Sequence, residues 1–456
     1  MDVAAIILAA GKGTRMKSRL PKVLHGICGR PMLEHVICAA LGAGISKNIV
    51  VVGHGAEMVK GSVKLDVTWV EQTEQLGTGH AVMQAEPLLT DFAGSILVLC
   101  GDTPLISPDT LKRLLNEHDE SGNSVTVLTA VVEDPSGYGR IIRDSGGLVT
   151  RIVEHRDASA DELKVNEINT GIYCFAAKAL FAALQNISPA NAQGEYYLTD
   201  VLSVIVDTGG GTGAVNVENA LETIGINDRV QLAAAEALMR SKILMAHMTA
   251  GVTIIDPNTT YIGSEVMIGC DSVINPGTVI EGNCRFGENC ILGPYSRLTD
   301  VIAGNAVMVQ NSVIIDSSIG NGVTIGPFAY IRPGTVLGDN VKVGDFVEIK
   351  NSVVDKGSKV PHLSYIGDTH IGERVNVGAG TITCNYDGIR KWKTSIGNNA
   401  FIGSNTNLVA PVIVGENAII GAGSTVTKNV PDGALCIERG EQKVYPEWAT
   451  RKNKKK

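Results

Sequence analysis

Three absences bound this chain of 456 residues before any motif is read. It has no CxxC pair, and its nine cysteines stand singly. That odd, scattered set suits free thiols in a reducing compartment better than a disulfide framework or a zinc site, so a cytoplasmic location is expected. It has no apolar run long enough to cross a bilayer. The first run, residues 3–10, follows no basic stretch and is too short for a signal-peptide core; it is expected to be a buried first strand, without membrane insertion. It has no excess of positive charge: the net charge is -8 at pH 7, which disfavours nucleic acid as a partner and leaves phosphate ligands to local basic residues. Aromatics are scarce at 4% while glycines number 52, so many backbone turns are expected.

The length predicts roughly two to four domains, and the pattern changes once. In the first half, short apolar runs at 4–8, 49–52, 96–99 and 125–132 alternate with amphipathic stretches. This predicts α/β layering, mainly parallel strands with helices on both faces, and ligands at the carboxyl ends of the strands. Residues 228–250 are rich in Ala, Leu, Met and Arg without internal Gly or Pro, and Gly251 follows; they predict one long connecting helix. The expected division is 1–228, a linker helix 229–250, and 251–456.

Beyond the helix an aliphatic or aromatic residue recurs every six positions. Ile262, Ile268, Ile274, Ile280, Phe286, Leu292 and Leu298 form one run, Ile319, Ile325, Ile331, Leu337, Val343 and Ile349 a second, and Ile396, Ile402, Leu408, Val414, Ile420 and Val426 a third. A period of six predicts a three-sided parallel β-helix with one side chain per face pointing inward. Residues 351–395 break the register and include a polar loop, 385–393, expected to project from the prism and to mark function. The basic tail 451–456 is expected to be a solvated, disordered end.

Directly after the first strand stands Leu8-Ala9-Ala10-Gly11-Lys12-Gly13-Thr14-Arg15-Met16. Such a turn lets backbone amides approach phosphate while Arg15 and Lys22 supply charge. It matches neither the Walker A pattern nor the dinucleotide fingerprint, whose third glycine is replaced by Met16. A short Gly-rich turn is by itself common, so the surrounding strings matter. They are Leu20-Pro21-Lys22, Gln72 with Gln75-Leu76-Gly77-Thr78-Gly79-His80, Gly101-Asp102, Gly137-Tyr138-Gly139-Arg140, Ile152-Val153-Glu154, Glu167-Ile168-Asn169-Thr170-Gly171 and Gly225-Ile226-Asn227.

Together these strings resemble the sugar-nucleotide pyrophosphorylase family, and most closely its bacterial bifunctional N-acetylglucosamine-1-phosphate uridyltransferases, which are also glucosamine-1-phosphate N-acetyltransferases. The resemblance implies a Rossmann-like nucleotidyltransferase domain followed by a left-handed β-helix. It implies that Leu8, Ala9, Ala10, Gly11, Lys22, Gln72, Gly77 and Thr78 bind UTP, that Gly139, Glu154 and Asn169 hold the amino sugar, and that Asp102 and Asn227 bind Mg2+. Arg15 and Lys22 would offset charge during uridylyl transfer. An acidic oxygen at the end of a central strand suits a hard cation, although Asp102 could also serve only the Gly-Asp-Thr-Pro turn, and Lys22 could be a solvated surface lysine.

The second half carries Ile331-Arg332-Pro333-Gly334, Pro361-His362-Leu363-Ser364-Tyr365-Ile366-Gly367 and Gly378-Ala379-Gly380-Thr381-Ile382-Thr383-Cys384-Asn385-Tyr386-Asp387-Gly388, which match the same bifunctional enzymes. By this resemblance His362 is the base that takes a proton as an amine attacks a thioester. Arg332 and Lys350 would hold the sugar phosphate, with Tyr365, Asn376 and the pair Asn385 and Tyr386 positioning the sugar. Ala379, Asn385, Tyr386, Ser404, Ala422 and Arg439 would border acetyl-CoA. Pro361 stands where many related sequences have a small Gly-containing step, which puts the histidine's pose in question. Cys384 is expected to be packed, with an oxidation-sensitive thiol as the alternative. The resemblance further implies a homotrimer and a product, UDP-N-acetylglucosamine, that feeds peptidoglycan, lipopolysaccharide and other envelope polymers. Two alternatives stay open: a pyrophosphorylase whose β-helix is only regulatory, as in ADP-glucose enzymes, and a trimeric scaffold with decayed sites.

Overall fold

The computed structural model describes residues 2–453. The chain divides into two compact units, Met1–Met239 and Arg240–Lys456. Lys454, Lys455 and Lys456 of the basic tail lie outside the described residues.

The first unit is built on a sheet whose main path runs Thr212–Asn216, Val125–Val131, Glu167–Ala176, Ser95–Cys100, Val3–Ala9, Lys47–Val52, Thr68–Glu71. The expected strands are all present. They run the same way; Glu167–Ala176, which the sequence did not single out as a strand, lies between two of them and runs antiparallel to both, while the pairs on either side of it are parallel. Residue pattern within one strand carries no mark of its direction relative to its neighbours, so only the pairing reveals it. Alternate residues of Val3–Ala9 point to opposite faces: Ala5, Ile7 and Ala9 enter one core cluster, Ala4 and Ile6 the other. Each face is covered by helices, Met32–Gly42 and Pro108–Ser121 on one, Thr78–Met83 and Asp200–Asp207 on the other.

A helix spans Arg229–Thr249. It closes with Gly251 in the left-handed region at φ +94 and the Val252 amide donating to the His247 carbonyl at 3.0 Å, the bond pattern by which a glycine ends a helix.

The second unit is a parallel β-helix. Val273 pairs with Ile291, eighteen residues on, and the pattern repeats coil upon coil. One face is an eleven-stranded sheet, and seventeen further strands make the other two. All nineteen predicted hexad positions are buried and form one continuous core with Val307, Val360 and others. Burial of a branched aliphatic chain on each face contributes about 1.5–3 kcal/mol per residue, which lets two-residue strands persist here. At the break, Asn376 faces Phe401, twenty-five residues on, so the irregular coil carries seven extra residues. They leave as a loop in which Tyr386 bridges Lys391 and Ile389 is 86% exposed. Asn385, expected on the projecting loop, is instead buried at its root. The tail is also corrected in part: Trp448–Asn453 is a short helix, with the Arg451 amide donating to the Glu447 carbonyl at 3.0 Å. No helix among the described residues is long and apolar enough to cross a membrane.

Candidate functional site

In the first unit a cleft of about 550 Å³ opens at the carboxyl ends of Val3–Ala9 and Ser95–Cys100, adjacent parallel strands with Leu8 opposite Cys100. Leu8, Ala9, Ala10, Gly11, Lys22, Gln72, Gly77, Thr78 and Asp102 all line it, although the sequence separates them by up to 94 positions. Gly77 sits at φ +112, and a Cβ there would fall 2.5 Å from the Tyr196 carbonyl oxygen, so only glycine lets this loop reach the cleft. Gln72, 3% exposed, donates to the Gly77 carbonyl at 3.0 Å and contacts His80 Nδ1 at 3.0 Å, which fixes the loop from below. Arg15 is exposed on the Thr14–Met16 turn and does not line the cleft.

The Lys22 ammonium pairs with the Asp102 carboxylate and donates to Asn227 Oδ1 at 2.8 Å. The backbone joins the two oxygen donors as well, since the Ile226 amide donates to the Asp102 carbonyl at 2.9 Å. Two hard oxygens therefore converge on one cation, a donor set that fits magnesium, which takes one or two carboxylates and completes its shell with substrate phosphates and water. Cys100 adjoins this acid, and burial, then the Asp102 charge, pushes its thiol up to about 12.

Gly139, Glu154 and Asn169 gather separately. A Cβ on Gly139 would stand 3.5 Å from both Asn169 Cβ and Glu154 Oε1, and the Asn169 amide donates to the Gly139 carbonyl at 2.9 Å. Glu154 borders a cavity of about 290 Å³ with Tyr197, Thr199 and Asp200, and burial raises its carboxyl above the ordinary glutamate value. The Tyr197 hydroxyl is buried without a hydrogen-bond partner. Nothing in the spacing of Tyr196-Tyr197-Leu198-Thr199 singled out these residues.

In the β-helix, Glu348–Lys350 pairs with Tyr330–Ile331 on one side and Tyr365–Gly367 on the other, which stacks Arg332, Lys350 and Tyr365 on one face. Arg332 donates to Glu348 Oε1 at 2.7 Å. Tyr365 and Asn385 meet over Gly367, where a Cβ would lie 2.5 Å from the tyrosine hydroxyl and 2.7 Å from Asn385 Nδ2. Asp368 ties this ground together, accepting from Asn351 at 2.6 Å and from Asn385 at 2.5 Å. Lys391, returning from the projecting loop, meets the Lys350 side chain, and that contact, then the Lys350 charge, lowers its affinity for a proton. Lys391 and Asp368 were missed because their neighbours lie on other coils.

His362 ends the adjacent face, just before the corner at Leu363. Asp345 is its register partner one coil earlier, and Nδ1–H donates to the Asp345 carboxylate, leaving Nε2 outward. That bond holds the Asp345 carboxyl below the usual carboxylate range. Pro361 does not disturb the register: Val360 still faces Val343, and Gly344 opposite the proline has no side chain to clash. Asn376 lies on the next strand of this sheet, paired with Lys359. Ala379, Ser404 and Ala422 follow the stacked positions Val377, Ile402 and Ile420 by two residues each and so form a column, and Arg439 donates to the Ala422 carbonyl at 2.9 Å. Tyr386 is exposed and donates to the Gly388 carbonyl at 2.6 Å. Cys384 is half-buried, and burial raises its thiol.

Residues 4–222 match the nucleotidyl transferase family, and residues 316–351 and 393–428 match the bacterial transferase hexapeptide family of six repeats. The bifunctional protein GlmU of Pelotomaculum thermopropionicum is 58% identical over 456 residues, covering 100% of each chain. The chain belongs to the GlmU family. GlmU proteins of Heliobacterium modesticaldum and Caldanaerobacter subterraneus subsp. tengcongensis are 55% and 54% identical, over 99% and 100% of this chain and 98% and 99% of their own. Like them it joins a nucleotidyltransferase domain to hexapeptide acyltransferase repeats in one bifunctional enzyme.

Proposed function

We propose that this GlmU-family chain makes UDP-N-acetylglucosamine in two transfers, acetylation of glucosamine-1-phosphate in the β-helix and uridylylation of the product in the first unit. One observation carries the proposal: each unit holds its own constellation, Lys22, Asp102 and Asn227 in the nucleotide cleft and His362 with Asp345 in the β-helix.

In acetyl transfer the amine nitrogen attacks the thioester carbonyl and the C–S bond breaks. His362 Nε2 takes the amine proton, its Nδ1–H held by Asp345. Arg332, Lys350 and Lys391 hold the phosphate, Tyr365, Asn376 and Asn385 orient the sugar, and the Ala379 backbone amide faces the developing oxyanion. Ala379, Asn385, Tyr386, Ser404, Ala422 and Arg439 border acetyl-CoA.

In uridylyl transfer an oxygen of the sugar phosphate attacks the α-phosphorus of UTP and pyrophosphate leaves. The 8–14 loop cradles the phosphates, Gln72, Gly77 and Thr78 read the base, and Gly139, Glu154, Asn169 and Tyr197 hold the sugar for in-line attack. Asp102 and Asn227 would hold magnesium, which when bound supplies charge neutralisation at the phosphates.

A homotrimer is supported by an exposed apolar corner beside His362. Phe328, Phe346 and Leu363 occupy it at positive φ, 57–60% exposed, and the two phenyl rings stack with centroids 5.4 Å apart. Bulky residues in that backbone region are uncommon, and here they leave a contiguous apolar surface exposed. Free cysteines throughout support a cytoplasmic location.

The test is a paired assay: thiol release from acetyl-CoA with glucosamine-1-phosphate, and pyrophosphate release from UTP with N-acetylglucosamine-1-phosphate. His362→Ala should abolish the first alone and Asp102→Ala the second alone. Pyrophosphate release without any thiol release by the unsubstituted protein would leave the β-helix a regulatory role.

A further inference from the structure

Lys22 is held at both ends, its stem against one loop and its ammonium across the cleft. Its Cβ lies so close to the phosphate loop that a Cβ on Gly13 would meet it at 2.5 Å. Its ammonium reaches across the cleft to Asp102 and Asn227, and the Lys22 and Asp102 side chains keep only 14% and 23% of their exposure. The two oxygens that fit a divalent cation therefore already hold a monovalent one. In this partly desolvated place a second cation cannot simply add, because like charges repel across low-dielectric surroundings; the ammonium has to leave. A displaced ammonium needs an anion, and its stem already rests against the loop suited to phosphate.

We propose that Lys22 is a built-in counter-ion of the metal site, held by Asp102 and Asn227 in the ligand-free enzyme and handed to the phosphates of the nucleoside triphosphate when the cation enters. Cation and nucleotide then bind with positive coupling, since each makes room or provides a partner for the other. The inference rests on the uridylyltransferase reading of this cleft. It assigns Lys22 two successive partners, whereas a residue serving phosphate alone would leave Asp102 free for metal at all times.

Mn2+ is the probe, titrated into the full-length protein without nucleotide, with free Mn2+ read by electron paramagnetic resonance. Lys22→Met and Lys22→Gln both remove the charge, and each should bind Mn2+ at least about tenfold more tightly than the unsubstituted protein. Lys22→Arg keeps the charge and should leave Mn2+ affinity at the original level. If the neutral variants, folded by circular dichroism, bind Mn2+ no more tightly, the counter-ion role is wrong while the cleft assignment stands. Should one neutral variant fail to fold, the other carries the comparison, and Lys22→Arg binding Mn2+ as tightly as a neutral variant would also overturn the role. Asp102→Asn should lose Mn2+ binding; retention of it would overturn the metal site and the inference together.

Discussion

Asp345 and His362 face each other on adjacent coils, and the imidazole Nδ1–H donates to the carboxylate. An ionised partner at Nδ1 fixes the tautomer that presents a basic Nε2 and stabilises the imidazolium formed during proton transfer. Asp345→Asn keeps the shape and removes the charge, so acetyl-transfer kcat should fall at least about tenfold, with KM for acetyl-CoA and uridylyl transfer unchanged. Asp345→Glu should restore part of the rate. Steady-state kinetics check this, and a kcat within about twofold of the original for Asp345→Asn would remove Asp345 from the mechanism.

The stacked pair Phe328 and Phe346 sits on the exposed corner next to His362 and Asp345. If this corner is a subunit interface, Phe328→Arg with Phe346→Arg should place charges in it and give a monomer by light scattering. Acetyl transfer should be lost and pyrophosphate release kept. An unchanged oligomer would move the interface elsewhere.

Glu154 is half-buried, and desolvation raises its carboxyl above the ordinary value. The folded first unit therefore holds this proton more tightly than the unfolded chain does. The resulting destabilisation is absent below the ordinary glutamate range, near about 4.3, and grows as pH rises through it towards the folded value. Glu154→Gln should raise the melting temperature of the unit carrying it at pH 8, with the gain vanishing in acid, while KM for the sugar phosphate increases. Thermal melts across pH, read beside the kinetics, decide it; a variant that melts lower at pH 8 contradicts the desolvation account.

Cys100 lines the nucleotide cleft yet has its thiol pushed up to about 12 by burial and the Asp102 charge. Only about one thiol in ten thousand is then ionised at pH 8. Iodoacetamide at that pH should leave Cys100 unmodified by peptide mapping and pyrophosphate release intact. Alkylation of Cys100 ahead of the exposed Cys270 would show the thiol to be activated.

By itself the sequence determined whatever depends on local repetition. A six-residue period admits one inward side chain per flat face, so the prism and its nineteen core positions were legible. The loops at the ends of Val3–Ala9 and Ser95–Cys100 were legible for the same reason, since strand and turn are both short-range patterns. Only the tertiary structure decided which distant groups meet. The antiparallel course of Glu167–Ala176, the contact of Lys22 with Asn227 across 205 positions, and the partnership of Asp345 with His362 depend on pairing between strands. Lys391 reaches Lys350 only because seven extra residues leave and re-enter one coil. Hydrophobic periodicity says which side of a strand faces inward; electrostatic and hydrogen-bond partners are set by coil length and register, which no single segment contains.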